Sequence, residues 1–446
     1  MRNARELAFF ALRQIYQRGA YTDIALERVL RKAEISSAER SLICELVYGV
    51  VRRKRSLDTI INQLGKKKAE EQPPDLRIIL HLGLYQLRYL NQIPASAAVN
   101  TSVELAKNNG LNKLSGVVNG LLRQYVRLAE VSDPLKLPRK KIQRLGISHS
   151  FPDWIVEIFH QQLDEQETDQ LLAWFNQVPT LDLRVNILKS SVDQVESALI
   201  EQGINVERVP HLPQALRLSG GTGSIQNLPG FKQGWWTVQD SSAQLVTHLL
   251  DPQPGEVVID VCAAPGGKTT HIAELMGDNG KIWAGDRSEK RLKKLQENVQ
   301  RLDLHSISLC PGDPRSLTQF TQTGDRVLLD TPCSGLGTLH KRPDIRWTQT
   351  PAKLKELSQL QRELLAHTAT WVKPGGTLVY SSCTLNPLEN EEVIQSFLDA
   401  HKNWQIKPPP PNSPAAPFAT SLGWVKIFPH EHQMDGFFMV KLTQGL

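Results

Sequence analysis

The feature that most constrains the fold is a double-glycine turn that joins a predicted strand to a predicted helix. Residues 256–261 form an apolar run typical of a buried strand, and apolar residues at helical spacing follow Lys268. Gly266 and Gly267 lie between the two. Strands and helices continue to alternate after this turn, with strands predicted at residues 281–285, 306–310, 327–330, 377–381, 424–428 and 436–442. Such alternation is typical of a parallel, doubly wound α/β sheet.

The chain before this sheet divides into two parts of different character. Apolar residues at helical spacing run through residues 1–135, with breaks such as Pro73-Pro74 and Asn109-Gly110, which predicts an all-α domain. Residues 150–225 mix helices with short alternating strands, which predicts a small α+β module. The doubly wound part is then expected to occupy residues 235–446. A chain of 446 residues is long enough to form several such cores.

The charge is distributed unevenly between these parts. Residues 1–150 contain 26 Lys and Arg against 13 Asp and Glu, whereas residues 151–446 contain 26 against 33. Basic clusters occur at residues 52–55 and 66–68. A basic first third joined to a mildly acidic remainder indicates a domain that binds a polyanion such as RNA or DNA. The alternative interpretation is an ordinary solvated face rich in lysine and arginine.

The five cysteines are widely spaced, and none forms a Cys-x-x-Cys pair. This pattern argues against both a disulfide framework and a zinc site, and a reducing cytoplasm is the expected setting. No apolar run approaches the roughly 20 residues that span a membrane. The N-terminus has helically spaced apolar residues interrupted by Glu6, so no signal peptide is expected.

Acidic residues end or follow three of the predicted strands after the glycine turn. Asp286 ends the second strand, 19 residues beyond Gly267, which is about the separation at which an acidic residue binds ribose hydroxyls in nucleotide-binding folds. Asp313 follows the third strand and could accept a hydrogen bond from an exocyclic amine of adenine. Asp330 ends the fourth. Because ligands of such sheets bind at the carboxyl ends of the strands, these side chains are expected to converge on a nucleotide-like cofactor.

A phosphate-binding loop is the rival interpretation of Gly267-Lys268-Thr269. That motif requires a glycine five residues before its second glycine, and this position is Cys262. The sequence therefore disfavours a nucleoside triphosphatase. A further alternative, that the aspartates act only as caps and turns, is reasonable for any one of them but not for the whole set.

Two cysteines also follow predicted neighbouring strands. Cys333 lies in the segment Asp-Thr-Pro-Cys-Ser-Gly at residues 330–335, and Cys383 lies in Tyr-Ser-Ser-Cys-Thr at residues 380–384. A lone cysteine is more often a small buried residue than a nucleophile. These two differ because each sits among small or polar residues directly after a strand. Spacing alone does not say which of them would be the nucleophile.

These segments, with Asp260 to Thr269, resemble the motifs of the RNA cytosine-5 methyltransferases of the NOL1/NOP2/Sun family. Thr331 and Ser382 depart from the family's usual strings by small-for-small changes. The basic helical N-terminus resembles NusB, which narrows the resemblance to the branch that acts on bacterial 16S rRNA. The resemblance covers essentially the whole chain. It implies a class I S-adenosylmethionine-dependent methyltransferase sheet, preceded by a NusB-like domain that binds RNA and by the small α+β module.

The resemblance also implies roles for individual residues. Cys383 is expected to attack C6 of cytosine, Cys333 to assist release of the adduct, and Asp330 to bind the N3/N4 edge of the base. Lys268 would lower the pKa of the attacking thiol. The residues expected to hold S-adenosylmethionine are Cys262, Ala263, Ala264, Pro265, Gly266, Gly267, Lys268, Asp286, Arg291, Asp313 and Asp330. Apart from the resemblance, the residues at 341–347 offer phosphate contacts and an aromatic plane to RNA, and the alternative interpretation is an ordinary charged loop.

The expected function is therefore methylation of cytosine C5 in 16S rRNA, free or in an early small-subunit particle, by a monomeric enzyme. One alternative keeps the chemistry and changes the substrate to tRNA. The helical N-terminus disfavours it, because tRNA-acting relatives more often carry other RNA-binding appendages. A second alternative is an RNA-binding or assembly protein whose sheet has lost its activity. The presence of Asp330, Cys333 and Cys383 argues against it.

Overall fold

The computed structural model describes residues 3–31 and 33–444. Its α-helices, in chain order, are Ala4–Arg18 (α1), Thr22–Leu30 (α2), Ser37–Arg52 (α3), Lys54–Leu64 (α4), Pro74–Tyr89 (α5), Ala95–Asn108 (α6), Ser115–Ala129 (α7), Lys141–His149 (α8), Asp153–His160 (α9), Glu165–Trp174 (α10), Val192–Glu201 (α11), Ser241–Leu250 (α12), Gly267–Leu275 (α13), Glu289–Leu302 (α14), Ile345–Thr348 (α15), Pro351–Ala369 (α16), Glu391–Ala400 (α17) and Pro429–His432 (α18). Within the described residues, no helix is both long and apolar enough to cross a membrane.

The β-strands form a four-stranded sheet and an eight-stranded sheet. In chain order they are Leu181–Val185 (β1), Asn205–Arg208 (β2), Ala215–Ser219 (β3), Trp236–Val238 (β4), Val257–Asp260 (β5), Lys281–Asp286 (β6), Ile307–Pro311 (β7), Gly324–Asp330 (β8), Val372–Ser382 (β9), Trp404–Ile406 (β10), Val425–Ile427 (β11) and Phe437–Gln444 (β12). The chain folds into two compact units, one without strands among its described residues and one that contains both sheets.

The first unit contains residues up to Gln177 together with Leu339–Thr348, and its described elements are all helices. Its core is built from the apolar faces of α1 to α7, which bury side chains such as Phe9, Ile43 and Leu122 completely. Ser36 and Glu39 form a capping box at the start of α3, with each side chain accepting a hydrogen bond from the other residue's backbone N–H. The spacing of these two residues predicts this cap, and the structure confirms it.

The segment Leu339–Thr348 packs into this helical unit and does not form the RNA-contacting loop that the sequence indicates. The side chain of Arg346 is completely buried and donates hydrogen bonds to the carbonyl oxygens of Phe175 (2.9 Å) and Arg52 (3.0 Å). Its guanidinium also lies 3.7 Å from the ring centroid of Phe151. Trp347 donates from Nε1 to the carbonyl of Val51 at 2.8 Å. The prediction of a phosphate contact is therefore wrong for Arg346.

The small sheet belongs to the second unit, has the order β2-β3-β1-β4 and is antiparallel throughout. It packs against α11 around a core that includes the buried Trp236. Trp236–Val238 pairs with β1 here, although the sequence analysis assigns residues from about 235 onward to the large sheet. Residue periodicity alone does not distinguish the two, because a three-residue strand carries little pattern.

The large sheet has the order β10-β12-β9-β8-β5-β6-β7, with β11 pairing to β12. Strands β5 to β9 pair in parallel, whereas β12 runs antiparallel to β9, so the sheet is mixed. The chain passes outward from β5 through β6 to β7, and then returns to β8 on the other side of β5. The carboxyl ends of β5 and β8 therefore flank the point where the strand order reverses, which is where ligands bind in such sheets.

Candidate functional site

Three of the predicted site residues, Asp330, Cys333 and Cys383, lie at or just beyond the carboxyl ends of the neighbouring strands β8 and β9. Asp260 ends β5 and Asp330 ends β8, and these strands are parallel neighbours. Strand β9 lies on the far side of β8, with Ser381 opposite Asp330. The Ser381 hydroxyl donates a hydrogen bond to the Asp330 carboxylate at 2.8 Å. The segments that carry Cys333 and Cys383 leave β8 and β9 directly beyond these positions.

The glycine turn connects β5 to α13 and depends on Gly266. This residue has a φ of +106°, and a Cβ atom built there would lie 2.8 Å from Cγ of Leu295. A side chain is therefore excluded on both grounds. Gly267 begins α13, and an added Cβ would meet only ordinary contacts with Gln239. Its importance to the predicted site consequently depends on how closely a ligand approaches.

Asp286 and Arg291, two of the residues expected to hold the cofactor, lie beside this turn. Asp286 is 3% exposed, accepts a hydrogen bond from the backbone of Ser288 at 2.8 Å, and pairs with Arg291 at 3.1 Å. Arg291 in turn donates to the carbonyl oxygen of Ala264 in the turn itself. Asp313 follows β7 but differs from Asp286, because its side chain is 40% exposed and pairs with Arg315 at 2.8 Å.

The carboxylate of Asp260 is buried beneath the glycine turn. Its Oδ2 accepts a hydrogen bond from the Thr269 hydroxyl at 2.7 Å. Its Oδ1 has no hydrogen-bond partner among the described residues. Burial raises the pKa of Asp260 to about 7, and the hydrogen bond from Thr269 offsets only part of this effect.

These buried carboxylates fit a cationic nucleoside better than a polyphosphate. An unsatisfied buried carboxylate oxygen requires a hydrogen-bond donor or a positive charge, and Asp286 adds a second buried carboxylate at the next strand end. Carboxylates at these positions would repel a triphosphate. The residues present therefore fit S-adenosylmethionine, which carries a sulfonium, an amino group and ribose hydroxyls.

The two predicted thiols are in direct contact. The Sγ atoms of Cys333 and Cys383 are 3.2 Å apart, which is well beyond the roughly 2.05 Å of a disulfide bond. The hydrogen bond with Cys383, burial, and the charges of Cys383 and Glu389 raise the pKa of Cys333 well above its ordinary value. At neutral pH, Cys333 is therefore held as a thiol. Cys262, in the glycine turn, also has a raised pKa, mainly because of burial.

The two sulfur atoms are influenced by different charged side chains, Lys268 for Cys383 and Glu389 for Cys333. The ammonium of Lys268 donates to the carboxylate of Asp330 at 2.7 Å, and the two side chains are 12% and 29% exposed. Burial lowers the pKa of Lys268, but the charges of Asp330 and Cys383 more than offset it, so the net pKa is raised. The positive charge of Lys268 acts on Cys383, whereas the negative charge of Glu389 acts on Cys333.

Glu389 is a site residue that the sequence analysis does not identify. Its fully buried carboxylate accepts hydrogen bonds from the backbone N–H (2.8 Å) and the hydroxyl (2.5 Å) of Ser334, next to Cys333. The Ser334 hydroxyl also lies 2.9 Å from that of Thr384, next to Cys383. The Ser334 hydroxyl, held by Glu389, thus joins the two cysteine loops. The Asn-Pro-x-Glu string after Cys383 contains a possible signal, because Asn386 and Glu389 have capping spacing ahead of α17.

Two glycines bring a further segment against these loops. Gly337 donates to the carbonyl oxygen of Cys383 at 3.0 Å and accepts from the backbone of Gly436 at 2.8 Å. A Cβ atom on Gly337 would lie 1.9 Å from the carbonyl oxygen of Gly436, so no other residue fits. The next residue, Phe437, presents its ring 5.0 Å from the ammonium of Lys268. Gly436 and Phe437 therefore lie against the Cys333 loop and Lys268.

The doubly wound sheet, its glycine turn and the carboxylates at its strand ends together define a class I methyltransferase fold. Comparisons with known proteins agree with this assignment. Residues 247–443 match the 16S rRNA methyltransferase RsmB/F family, residues 2–127 match the NusB family, and residues 151–224 match the ferredoxin-like domain of RsmF/B-like methyltransferases. The chain belongs to the RsmB branch of the RsmB/F family, because full-length relatives carry that name.

One such relative is a probable ribosomal RNA small subunit methyltransferase B from Synechocystis sp., 54% identical over the whole of both chains. The ribosomal RNA small subunit methyltransferase B of Serratia proteamaculans is 35% identical over 99% of each chain. Among solved structures, PH0851 matches with a TM-score of 0.83 and 27% identity over 100% of this chain and 99% of its own. A methyltransferase homologue from Pyrococcus horikoshii matches 69% of this chain and 100% of its own, with 30% identity and a TM-score of 0.60.

Proposed function

We propose that the protein methylates C5 of a cytosine in 16S rRNA, with S-adenosylmethionine as methyl donor and a covalent adduct between Cys383 and C6 of the base. The observation that carries this proposal is the contact between two thiols that are flanked by charges of opposite sign. A single nucleophile would need only one cysteine. A second cysteine at 3.2 Å, held as a thiol, suits a reaction in which an adduct must also be released.

The residues that would hold the cofactor are those of the glycine turn with Asp260 and Asp286. When bound, S-adenosylmethionine supplies an electrophilic methyl group. Asp260 offers its unsatisfied carboxylate oxygen to an amino group, and Asp286 offers a buried carboxylate to ribose hydroxyls. We propose the same role for the backbone of Cys262, Ala263, Ala264 and Pro265. Asp313 is assigned to the adenine amine and would have to exchange its bond with Arg315 for it.

Asp330 and Lys268 would prepare the cytosine for attack. C5 of cytosine is a poor nucleophile until a thiolate adds to C6. This addition moves the electron pair of the C5–C6 double bond onto C5. Asp330 binds the N3/N4 edge and favours the protonated, electrophilic ring. The ammonium of Lys268 stabilises the thiolate of Cys383 before the attack. The new C6–S bond makes C5 nucleophilic enough to take the methyl group, and the bond between that methyl and the sulfonium would break with release of S-adenosylhomocysteine.

Cys333 would assist the release of the product. After methylation, C5 loses its proton to a base, the double bond between C5 and C6 forms again, and the C6–S bond breaks with its electron pair on Cys383. The thiol of Cys333 lies 3.2 Å from that sulfur and can supply a proton to the departing thiolate. The raised pKa of Cys333 keeps this proton available at neutral pH.

The choice of substrate follows from the relatives. Several full-length relatives are named ribosomal RNA small subunit methyltransferase B, and the matching family is that of 16S rRNA methyltransferases. A tRNA substrate would leave the chemistry unchanged. We assign RNA binding to the NusB-like residues 1–135, which carry the excess of Lys and Arg, and catalysis to residues 235–446.

The proposal is tested by trapping the adduct on unmodified 16S rRNA in the presence of S-adenosylmethionine. Cys333→Ala is expected to accumulate a protein–RNA complex that survives denaturing electrophoresis, because the adduct forms but is not released. Cys383→Ala is expected to form none. The matched control is Cys310→Ala, which removes a thiol at the end of β7 in the same sheet and should behave as wild type.

The reverse pattern, with adduct in Cys383→Ala only, would exchange the roles of the two cysteines. Full turnover by Cys383→Ala would remove covalent catalysis altogether. Wild-type protein that transfers no methyl group to any RNA but still binds it would favour the RNA-binding alternative.

A further inference from the structure

The small sheet reaches the glycine turn of the large sheet through one completely buried arginine. Arg184 lies on β1, and its side chain is 0% exposed. One terminal nitrogen donates to the carbonyl oxygen of Gly267 at 2.6 Å and to the side chain of Gln239. The other donates to the Thr270 hydroxyl at 2.9 Å. Both Gly267 and Thr270 lie in the first turn of α13.

A carboxylate on the same helix completes this arrangement. Glu274, also 0% exposed, binds Arg184 with both of its oxygen atoms, at 2.7 and 2.8 Å from Nη2 and Nε. The fixed fork of the guanidinium thereby contacts three residues along one side of α13. Thr270 extends this hydrogen-bond network, because its hydroxyl donates to the carbonyl oxygen of Gly266 at 2.8 Å. Arg184 is consequently linked to both glycines of the turn.

A gain in stability is a weak explanation for such a pair. Moving two charges out of water costs about as much as their attraction returns, and well-packed apolar residues often replace buried ion pairs without loss. The geometry of the contacts gives a better explanation. They fix the position of the first turn of α13, and this turn carries Lys268 and follows the residues assigned to the cofactor.

We propose that Arg184 is a positioning residue that holds the glycine turn in the conformation that binds the cofactor, so that the small α+β module is a structural part of the cofactor site. This inference rests on the proposed function, because the cofactor it names is S-adenosylmethionine. It assigns a role to a module whose sequence pattern indicates none. Lys268 depends on the same support, because it lies between Gly267 and Thr269.

The test removes both buried charges at once and measures cofactor binding directly. In the double variant Arg184→Met with Glu274→Met, no charge is left unpaired, so the full-length chain should fold. Titration calorimetry with S-adenosylmethionine is expected to give a Kd raised about tenfold to a hundredfold, the factor for losing a hydrogen bond from a charged group. In methyl transfer, the KM for S-adenosylmethionine should rise, whereas the KM for RNA should not.

The matched control is the neighbouring buried pair of the same sheet. Arg217 on β3 binds Asp182 on β1 at 2.8 Å, and Asp182 accepts from Ser241 at the start of α12. Asp182 thus contacts α12, and among the described residues neither Arg217 nor Asp182 has a hydrogen bond to the glycine turn. Arg217→Met with Asp182→Asn should therefore bind S-adenosylmethionine as wild type does. An equal loss of binding in both double variants would show a general effect on folding and would contradict the inference.

A second variant, Arg184→Lys, tests the inference if the first double variant does not fold. Arg184→Lys keeps the charge opposite Glu274 but loses the fork that reaches Gly267 and Thr270. It should weaken cofactor binding and increase amide hydrogen exchange in residues 266–271. If wild type binds S-adenosylmethionine and the Arg184 variants bind it equally well, the inference is wrong. If wild type itself does not bind, the proposed function fails instead.

Discussion

The sulfur atoms of Cys333 and Cys383 lie 3.2 Å apart although the two residues are separated by 50 positions in the chain. Their strands are adjacent and in register, with Asp330 on β8 opposite Ser381 on β9. Cys333 follows the end of β8 by three residues, and Cys383 follows the end of β9 by one. Parallel pairing therefore brings both thiols to one edge of the sheet. We propose that the different charges that act on them, Lys268 on Cys383 and Glu389 on Cys333, give the two thiols different roles.

Replacing Asp330 by Asn should lower kcat strongly. The carboxylate that binds the cytosine edge and pairs with Lys268 is lost, and general acid–base contributions of this kind are worth about 10²- to 10⁴-fold in rate. Steady-state methyl transfer measures the effect. Asp325→Asn is the matched control, because Asp325 lies on the same strand and pairs with Lys373 at 2.8 Å. Equal losses in both variants would mean that the effect is one of stability.

Replacing Glu389 by Gln should lower the pKa of Cys333. The substitution removes a negative charge that disfavours the Cys333 thiolate and replaces an acceptor of four hydrogen bonds with an amide. In a Cys383→Ala background, alkylation of Cys333 by iodoacetamide should therefore begin at a lower pH. Glu391→Gln, which alters an ion pair with Lys426, should leave the alkylation profile unchanged. An unchanged profile in Glu389→Gln would contradict the charge asymmetry.

Asp260 should make the protein less stable as the pH rises toward neutrality. Its pKa is about 7 in the folded protein and near 3.8 when unfolded, so between these values the folded state binds the extra proton. The free energy of unfolding of wild type, relative to Asp260→Asn, should then fall by about 2 kcal/mol between about pH 5 and about pH 7. Urea unfolding at several pH values measures this difference.

Asp325 provides the control for this titration, because its pKa is shifted in the opposite direction. Burial raises its pKa, but the hydrogen bonds from Lys373 and the Val257 backbone outweigh burial and lower the net value below 3.8. The difference between wild type and Asp325→Asn should therefore be constant from about pH 5 to about pH 7. A constant difference for Asp260→Asn as well would show that Asp260 is already ionised.

Arg346 should contribute to the stability of the helical unit. In Arg346→Lys a single ammonium replaces a guanidinium that donates to Arg52, Phe175 and Asn176, which leaves buried acceptors unsatisfied. The expected loss is about 1 to 3 kcal/mol in the free energy of unfolding. Arg342→Ala, four residues earlier and exposed, should change it little. Equal stability of the two variants would contradict the packing of this segment.

The sequence predicts the parts of the site that depend on backbone pattern. Alternation of strands and helices predicts the sheet, and the structure places Asp286 and Asp330 at the strand ends where the sequence predicts them. The capping box at Ser36 and Glu39 is predicted for the same reason, because local hydrogen bonding depends only on spacing. Each of these features is encoded within a few neighbouring residues.

Contacts between distant residues are what the sequence does not predict. Arg346 follows Lys341 and Arg342 in a charged string typical of an exposed loop, yet its environment consists of carbonyl groups from α3 and from the ends of α8 and α10. Glu389 similarly stands in an acidic string, and its partner Ser334 is 55 residues away. The antiparallel direction of β12 also has no signal in its own residues, because strand direction is set by the partner.

The most direct test of the account is methyl transfer from labelled S-adenosylmethionine to unmodified 16S rRNA, with unmodified tRNA in parallel and bisulfite mapping of the product. A 5-methylcytosine resists deamination by bisulfite, so the map identifies both the atom and the nucleotide. Cys383→Ala, measured alongside, separates covalent catalysis from background transfer.

The account predicts label in 16S rRNA, one protected cytosine in the map, and no label with Cys383→Ala. Label in tRNA alone would keep the chemistry and change the substrate. Labelled 16S rRNA without a protected cytosine, or labelling that persists in Cys383→Ala, would contradict the central claim.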